Sequence, residues 1–268
     1  MLRRCPKFCD RLKEYHAYYE QVSDAKRTRT VATEKVHLRA WKAHLGETRL
    51  NHITPAMIRA FMAKRQGEGV SGRTVNLAIV ILRNVLKRGI EDGWLRRLPT
   101  ETIKPLKWTP RKKELFQLDA IERLCAAATA PLFHEGRVAQ RGESGLPLKN
   151  AQAFADHIRL MSFSGARMTE TLHLKWSDVN GERKQLTIGS DGEAKNRTAR
   201  RMDFNPHLEA HLQAMLTRRV PDSDWIFPSP QRGDRDIRTR TFRESLILAR
   251  TAAGLPTFGF HDCRHFFL

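Results

Sequence analysis

Residues 164–179 read SGARMTETLHLKWSDV. An apolar-periodic stretch from Phe154 to Phe163 precedes them, and Ser164-Gly165 breaks it. That places Arg167 in the first turn of a new helix expected to run to about Trp176. Glu170 follows one helical turn later, where it can hold that helix together rather than act in chemistry. Alone, an arginine at a helix start is most often an ordinary solvated or ion-paired residue. Its meaning depends on the motifs further along the chain.

Downstream, QLTIG (185–189) and residues 199–204 read as two short strands joined by a turn at Asp191-Gly192. Lys195 lies near the tip of that hairpin, within AKNRTARR, and Lys184 is the reserve lysine if the register is shifted. Helices are expected at 207–219 and 241–253, the second stopped by Gly254 and Pro256. The sequence then reads FGFHDCRHFF, with His261 and Arg264 three residues apart and so on one helical face. A helix at 119–128 and a long surface loop at 131–151 complete this half.

The first 97 residues read as helix after helix. Leu38, Trp41 and Leu45 form a buried stripe with Lys35, Arg39 and Lys42 beside it, and Gly46 ends that helix. Thr54-Pro55 is an N-cap followed by a first-turn proline. In SGRTVNLAIVILRNVLKRGIEDGW, Ile79, Leu82, Leu86 and Ile90 face the core while Arg83, Lys87 and Arg88 face out. Residues 98–113 (LPTETIKPLKWTPRKK) have no apolar period and read as an extended basic linker, with Trp108 standing apart in it. The fold class is therefore mainly α with a small antiparallel sheet. It divides into a helical domain at 1–97, the linker at 98–113 and a mixed domain at 114–268.

Composition narrows the function. The 268 residues hold 48 Lys+Arg against 29 Asp+Glu, a formal net charge of +19. Residues 1–110 carry 23 Lys/Arg and 10 Asp/Glu, and the remainder 25 and 19, so both halves favour a polyanionic partner. The longest apolar run, Leu77–Leu82, has six residues, against the ~20 that span a bilayer. No signal-type apolar segment follows the first charges, so a cytoplasmic, membrane-free protein is expected. Four cysteines, with Cys5 and Cys9 lacking a second ligand pair, suggest neither a disulfide framework nor a zinc site.

Taken in order, SGARMTETLHLKWSDV, the hairpin lysine and HDCRHFF behind an all-α basic domain resemble the tyrosine recombinase (phage integrase) family. The resemblance extends over nearly the whole chain, with Cys263 where a leucine is more usual. It implies a SAM-like core-binding domain followed by a catalytic domain, and DNA strand breaking and rejoining through a 3′-phosphotyrosyl intermediate without a metal or other cofactor. Arg167 and Arg264 would clamp the phosphate, a task suited to the planar, permanently charged guanidinium fork. Lys195 would protonate the leaving 5′-oxygen, and His261 would assist proton transfer. Duplex DNA at attachment-type sites is the implied partner, with further protomers in a tetrameric synapse for a complete enzyme. Lys35, Arg39, Lys42, Arg73, Thr74 and Asn76 are the candidate DNA contacts, most of them to phosphate. Thr74 is expected to offer helix N-terminal N–H groups.

One departure stands out. The family's tyrosine lies beyond the H-x-x-R motif, whereas this sequence shows four residues past Arg264 and has tyrosines only at 15, 18 and 19. The polypeptide as given, truncated before that tyrosine, is expected to bind DNA without cleaving it, with Phe266–Leu268 exposed and frayed. A non-catalytic DNA-binding remnant or regulator is the alternative function. A type IB topoisomerase and a generic basic RNA-binding protein are the more distant rivals.

Overall fold

The computed structural model describes residues 4–22, 26, 28–110, 115–131, 148–190, 198–230 and 237–267. The chain separates into two compact units, Met1–Arg111 and Lys112–Leu268.

The first unit contains α1 (Phe8–Gln21), α2 (Thr28–Leu45), α3 (Pro55–Gly67) and α4 (Gly72–Glu91), with a 3-10 turn at Leu50–His52. Leu38, Trp41 and Leu45 are buried as their spacing requires, and Ile79, Leu82 and Leu86 of α4 meet them. Trp41 stacks on Phe61 with ring centroids 3.6 Å apart, and its indole N–H donates to the Ala78 carbonyl at 2.9 Å. That bond satisfies the one polar atom of a fully buried side chain. The Thr54 hydroxyl caps α3 by accepting from Met57 N, and the Ser71 hydroxyl caps α4 by accepting from Thr74 N. Gly46 is required where α2 ends: a Cβ there would lie 2.5 Å from the Lys42 carbonyl oxygen.

The basic stretch after α4 is not free along its length. Thr100 and Ile103 are buried against the bundle, and Arg83 donates to the Thr100 hydroxyl and carbonyl at 3.4 Å each. Asn76 clips the chain further on. Its amide nitrogen donates to the Leu106 carbonyl at 2.9 Å, and its amide oxygen accepts from Leu106 N at 2.8 Å. Residues 98–110 thus belong with the first unit. The lack of an apolar period concealed this because side chain–backbone bonds, rather than a hydrophobic stripe, hold the segment. Likewise Arg88 turns inward to stack 3.6 Å from the Tyr18 ring centroid.

The second unit contains α5 (Leu118–Thr129), α6 (Ala151–Ser164), α7 (Met168–Leu172), β1 (Val179–Asn180), β2 (Gln185–Ile188), β3 (Arg200–Asp203), α8 (Pro206–Leu216), α9 (Arg243–Ala252) and α10 (Phe260–Phe267). The sheet is antiparallel in the order β1-β2-β3, with Leu186 opposite Met202 and Ile188 opposite Arg200. Every residue of α6 from Phe154 to Ser164 except Arg159 is buried, and α5, α8, α9 and α10 pack around it. Gly165, at φ 60°, ends α6 in the left-handed conformation that glycine adopts without strain.

The helix expected from 167 to 176 stops at Leu172. The reason is a competing set of backbone bonds: Ile226 N donates to the Leu174 carbonyl at 3.0 Å and Trp176 N to the Asp224 carbonyl at 2.8 Å. The two-residue strand β1 is the other element the sequence did not show. Phe266 packs against the core rather than standing exposed. The expected hairpin tip, including Lys195, and most of the 131–151 loop lie outside the described residues. No helix among the described residues is long and apolar enough to cross a membrane.

Replacing Asn76 with alanine removes both bonds of the Leu106 clip. We expect a loss of about 1–2 kcal/mol in unfolding free energy and faster tryptic cleavage after Lys107. A wild-type proteolysis rate at that lysine in the variant would show that the clip does not hold the segment.

Candidate phosphate-binding site

Arg167 is the residue that leads into α7, after the Gly165 turn. Its backbone N–H donates to Glu170 Oε2 at 2.9 Å, half of a capping box. Its guanidinium Nη1 donates to Glu170 Oε1 at 2.7 Å. The strand residue Arg200 donates from Nη2 to Glu170 Oε2 at 2.8 Å. The Glu170 side chain is only 2% exposed, whereas those of Arg167 and Arg200 are 38% and 40% exposed. A buried carboxylate therefore lies beneath two guanidinium groups that both reach solvent. Burial alone would raise the Glu170 pKa, but the bonds from Arg200 and from the Arg167 backbone and side chain outweigh it and hold it at about 2.

His157 connects this corner to α10. It is fully buried, and its Nε2 lies 2.8 Å from the Thr171 hydroxyl. That hydroxyl is 2.9 Å from the Met168 carbonyl and 3.3 Å from the Arg167 carbonyl. One hydroxyl proton cannot serve every neighbour, so Nε2–H donates to Thr171 while Thr171 donates back into its own helix. The imidazole also packs against Phe227, Phe242 and Phe260, with centroids 5.3, 5.0 and 5.7 Å away. Thr171 is one turn beyond Arg167, and Phe260 is one turn before Arg264 and adjacent to His261. A single neutral histidine thus touches both arginine-bearing helices. The structure puts His157 in the core, where burial pushes its pKa down to about 3.

On α10, His261 is exposed and its ring packs edge-on to His265 at 4.8 Å. Arg264 is half-buried, and its Nη1, out of reach of solvent, has no hydrogen-bond partner among the described residues. Cys263 is buried between these two, its thiol pushed up to about 12 by burial. It acts as a small apolar residue anchoring the helix. Lys184 pairs with Glu209 at 2.9 Å and sits at the opposite end of β2 from the Ile188–Arg200 pair, roughly 10–13 Å away along a four-residue strand. Among the described residues, no group of three or more His, Cys, Asp or Glu side chains could hold a metal ion.

In the first unit, some of the candidate contacts have local partners. Lys35 is paired with Glu20, Asn76 is closed on Leu106, and Thr74 N is bound by the Ser71 cap. Each of these polar groups satisfies a local partner that amphipathic spacing does not reveal. Arg39 and Lys42 are exposed. Arg73 is exposed too, with its guanidinium 5.2 Å from the Trp108 ring centroid.

The sites missed from sequence are Arg200, His157 and Thr171. Alternation along RRMD puts Arg200 and Met202 on one face and Arg201 and Asp203 on the other, a signal too short to be decisive alone. His157 was visible as a polar residue within an apolar helix.

Comparisons with known proteins bear on the family and the fold. The phage integrase family matches residues 118–268, and the phage integrase N-terminal SAM-like domain matches residues 12–91. No curated protein matched the sequence. A lambda integrase dimer bound to a COC' core site is similar in structure, with TM-score 0.74 and 17% identity over 98% of this chain and 69% of that one. A lambda integrase tetramer bound to a Holliday junction gives the same values. The Tn1549 transposon integrase in complex with a circular intermediate DNA has TM-score 0.70 and 15% identity, over 97% of this chain and 85% of that one.

The His157 environment predicts a pH response. In the unfolded chain this imidazole takes a proton near its ordinary pKa of 6.5; in the folded chain it resists until about 3. Stability is therefore lost as pH falls from 6.5 towards 3, at roughly 1.4 kcal/mol per pH unit from this group. Denaturant unfolding at pH 7, 6 and 5 should show a shallower loss in His157→Leu, and equal slopes in both proteins would contradict it. The SAM-like fold of the first unit, the integrase fold of the second and their matches over 12–91 and 118–268 together place this chain in the phage integrase family of tyrosine recombinases.

Proposed function

We propose that this chain binds duplex DNA and holds a backbone phosphate with Arg167 and Arg264, as a site-specific recombinase must when it breaks and rejoins strands. The observation that carries the reading is the buried Arg264 Nη1 without a partner. A buried guanidinium N–H left unsatisfied costs free energy, so a side-chain shift that brings it to an oxyanion oxygen gains the missing acceptor. Arg167 complements it: Glu170 fixes one edge of its guanidinium, and more than a third of the side chain remains exposed.

In the reaction this supports, a tyrosine hydroxyl attacks the scissile phosphorus, the bond to the 5′-oxygen breaks, and a 3′-phosphotyrosyl ester forms. The departing 5′-oxygen takes up a proton, for which Lys195 is the candidate donor. The fixed arginines stabilise the charge on the non-bridging oxygens, and His261 orients the phosphate or moves a proton. Arg39, Lys42 and Arg73 are the proposed phosphate contacts of the helical unit. The DNA complexes of the lambda and Tn1549 integrases support duplex DNA as the ligand, and the lambda dimer and tetramer support assembly of further protomers.

The tyrosines within the 268 residues are poorly suited to attack. The Tyr15 hydroxyl is held 2.6 Å from Lys26 Nζ and 3.3 Å from Glu34 Oε2, and burial and the Glu34 carboxylate raise its pKa. Tyr18 and Tyr19 pack edge-on with centroids 5.0 Å apart, both beside Arg88.

Two measurements test the reading. Arg264→Met should leave thermal stability unchanged or raised, because an unpaired buried donor is removed. It should weaken duplex binding about tenfold in fluorescence anisotropy at low salt, the loss expected for one charged hydrogen bond. A purely structural arginine would lose stability and spare binding. Incubation of this 268-residue polypeptide with a nicked suicide duplex should give a complex but no covalent adduct. An adduct on gel electrophoresis in denaturant would show that one of the three tyrosines attacks after all.

A further inference from the structure

Among the described residues, Arg200 is the guanidinium that reaches the Glu170 carboxylate from an element other than α7 and its cap. The sequence motifs did not single it out, and the role proposed for Arg167 does not by itself require it. Its position is set by the sheet. Arg200 pairs with Ile188 in the last β2–β3 pair before the chain enters residues 191–197, and strand alternation turns it to the same side as Met202, which packs on the core. Arg201 is directed the other way and is exposed.

The carboxylate below is fully engaged. Oε1 takes Arg167 Nη1, and Oε2 takes both the Arg167 backbone N–H and Arg200 Nη2. Two cations and one anion leave the cluster with a net positive charge, and the anion is the buried member. Without Arg200, Glu170 faces Arg167 alone. It would then neutralise that guanidinium and could draw it away from a phosphate. With Arg200 present, the carboxylate is shared, so Arg167 is oriented by Glu170 without being fully paired.

We infer that Arg200 is a positioning residue which, through Glu170, fixes and frees the Arg167 guanidinium and so joins β3 to α7 as one anion-binding unit. This rests on the reading of Arg167 as a phosphate holder. It adds that the return strand of the hairpin sets the orientation of the first arginine.

The test is nuclear magnetic resonance of the arginine side-chain N–H groups in the 268-residue chain. Exchange of the Arg167 Nε proton with water is measured first without ligand, then its shift is followed during titration with inorganic phosphate at constant ionic strength. Arg200→Ala should slow Arg167 exchange about tenfold and weaken phosphate binding by a similar factor, because Glu170 then pairs with Arg167 alone. Arg200→Lys, which can still donate to Oε2, should recover most of both. Arg201→Ala, which removes the same charge from the opposite face, should leave exchange unchanged. Should Arg200→Ala fail to melt cooperatively, Arg200→Gln takes its place, since it keeps a donor but not the charge; it is expected between alanine and lysine. Wild-type Arg167 exchange in a folded Arg200→Ala or Arg200→Gln protein overturns the inference. If phosphate shifts neither Arg167 nor Arg264 in the wild type while Arg200→Ala still slows Arg167 exchange, the phosphate-holding reading fails and the positioning link stands.

Discussion

A helix buried on nearly every face has to account for each polar side chain it carries, and α6 carries several. Asp156 is met by Arg218 at 3.0 and 3.2 Å and by Gln152 at 2.9 Å. Ser162 and Ser164 return their hydroxyl protons to carbonyls one turn back, Ile158 at 2.9 Å and Leu160 at 2.5 Å. His157 has no such local solution and reaches across to Thr171. Buried polar groups left unsatisfied cost about 1–3 kcal/mol each, so these bonds select one arrangement of the surrounding elements. Through them α6 fixes α7, and through the aromatic contacts of His157 it fixes the start of α10. The two arginines of the candidate site therefore take their places from one interior helix that bears neither of them.

The positive charge needs a similar accounting. The net charge of +19 suggests a broad cationic surface, yet many cations in the first unit have internal work. Arg11 bonds Glu14 and pairs with Asp92. Lys26 is held between Glu34 and the rings of Tyr15 and Tyr19. Arg49 donates to the Cys5 carbonyl, and Arg88 stacks on Tyr18. Arg39, Lys42 and Arg73 are among the cations exposed to solvent. Composition identified the class of partner, but burial decides which cations are available to it.

Much of the fold was legible because its signals are periodic. The Leu38–Trp41–Leu45 stripe, the Thr54-Pro55 helix start and the Ser164-Gly165 break all act over one or two helical turns, and each appears in the structure as read. The missed features are non-local. The Asn76–Leu106 clip joins residues thirty positions apart, and the bonds that end α7 early come from residues 224–226. No window on the sequence contains both partners of such a bond. Charge pairs such as Lys35–Glu20 fail for the same reason: the helix face predicts exposure, and a neighbouring helix supplies the acid.

The candidate site divides along the same line. Arg167 and Arg264 were visible because a helix break and an i, i+3 pair are local marks. Arg200 was not, since RRMD offers a strand of four residues with two adjacent arginines and no apolar alternation to say which one turns inward. The sheet decides that question by pairing Arg200 with Ile188, and the decision has an electrostatic consequence. An inward arginine meets a carboxylate already bonded to Arg167, and the three charges set one another's positions. Moving the strand by one residue would turn Arg201 inward in place of Arg200 and turn Met202 away from the core. The register of a short sheet thereby selects which arginine meets Glu170.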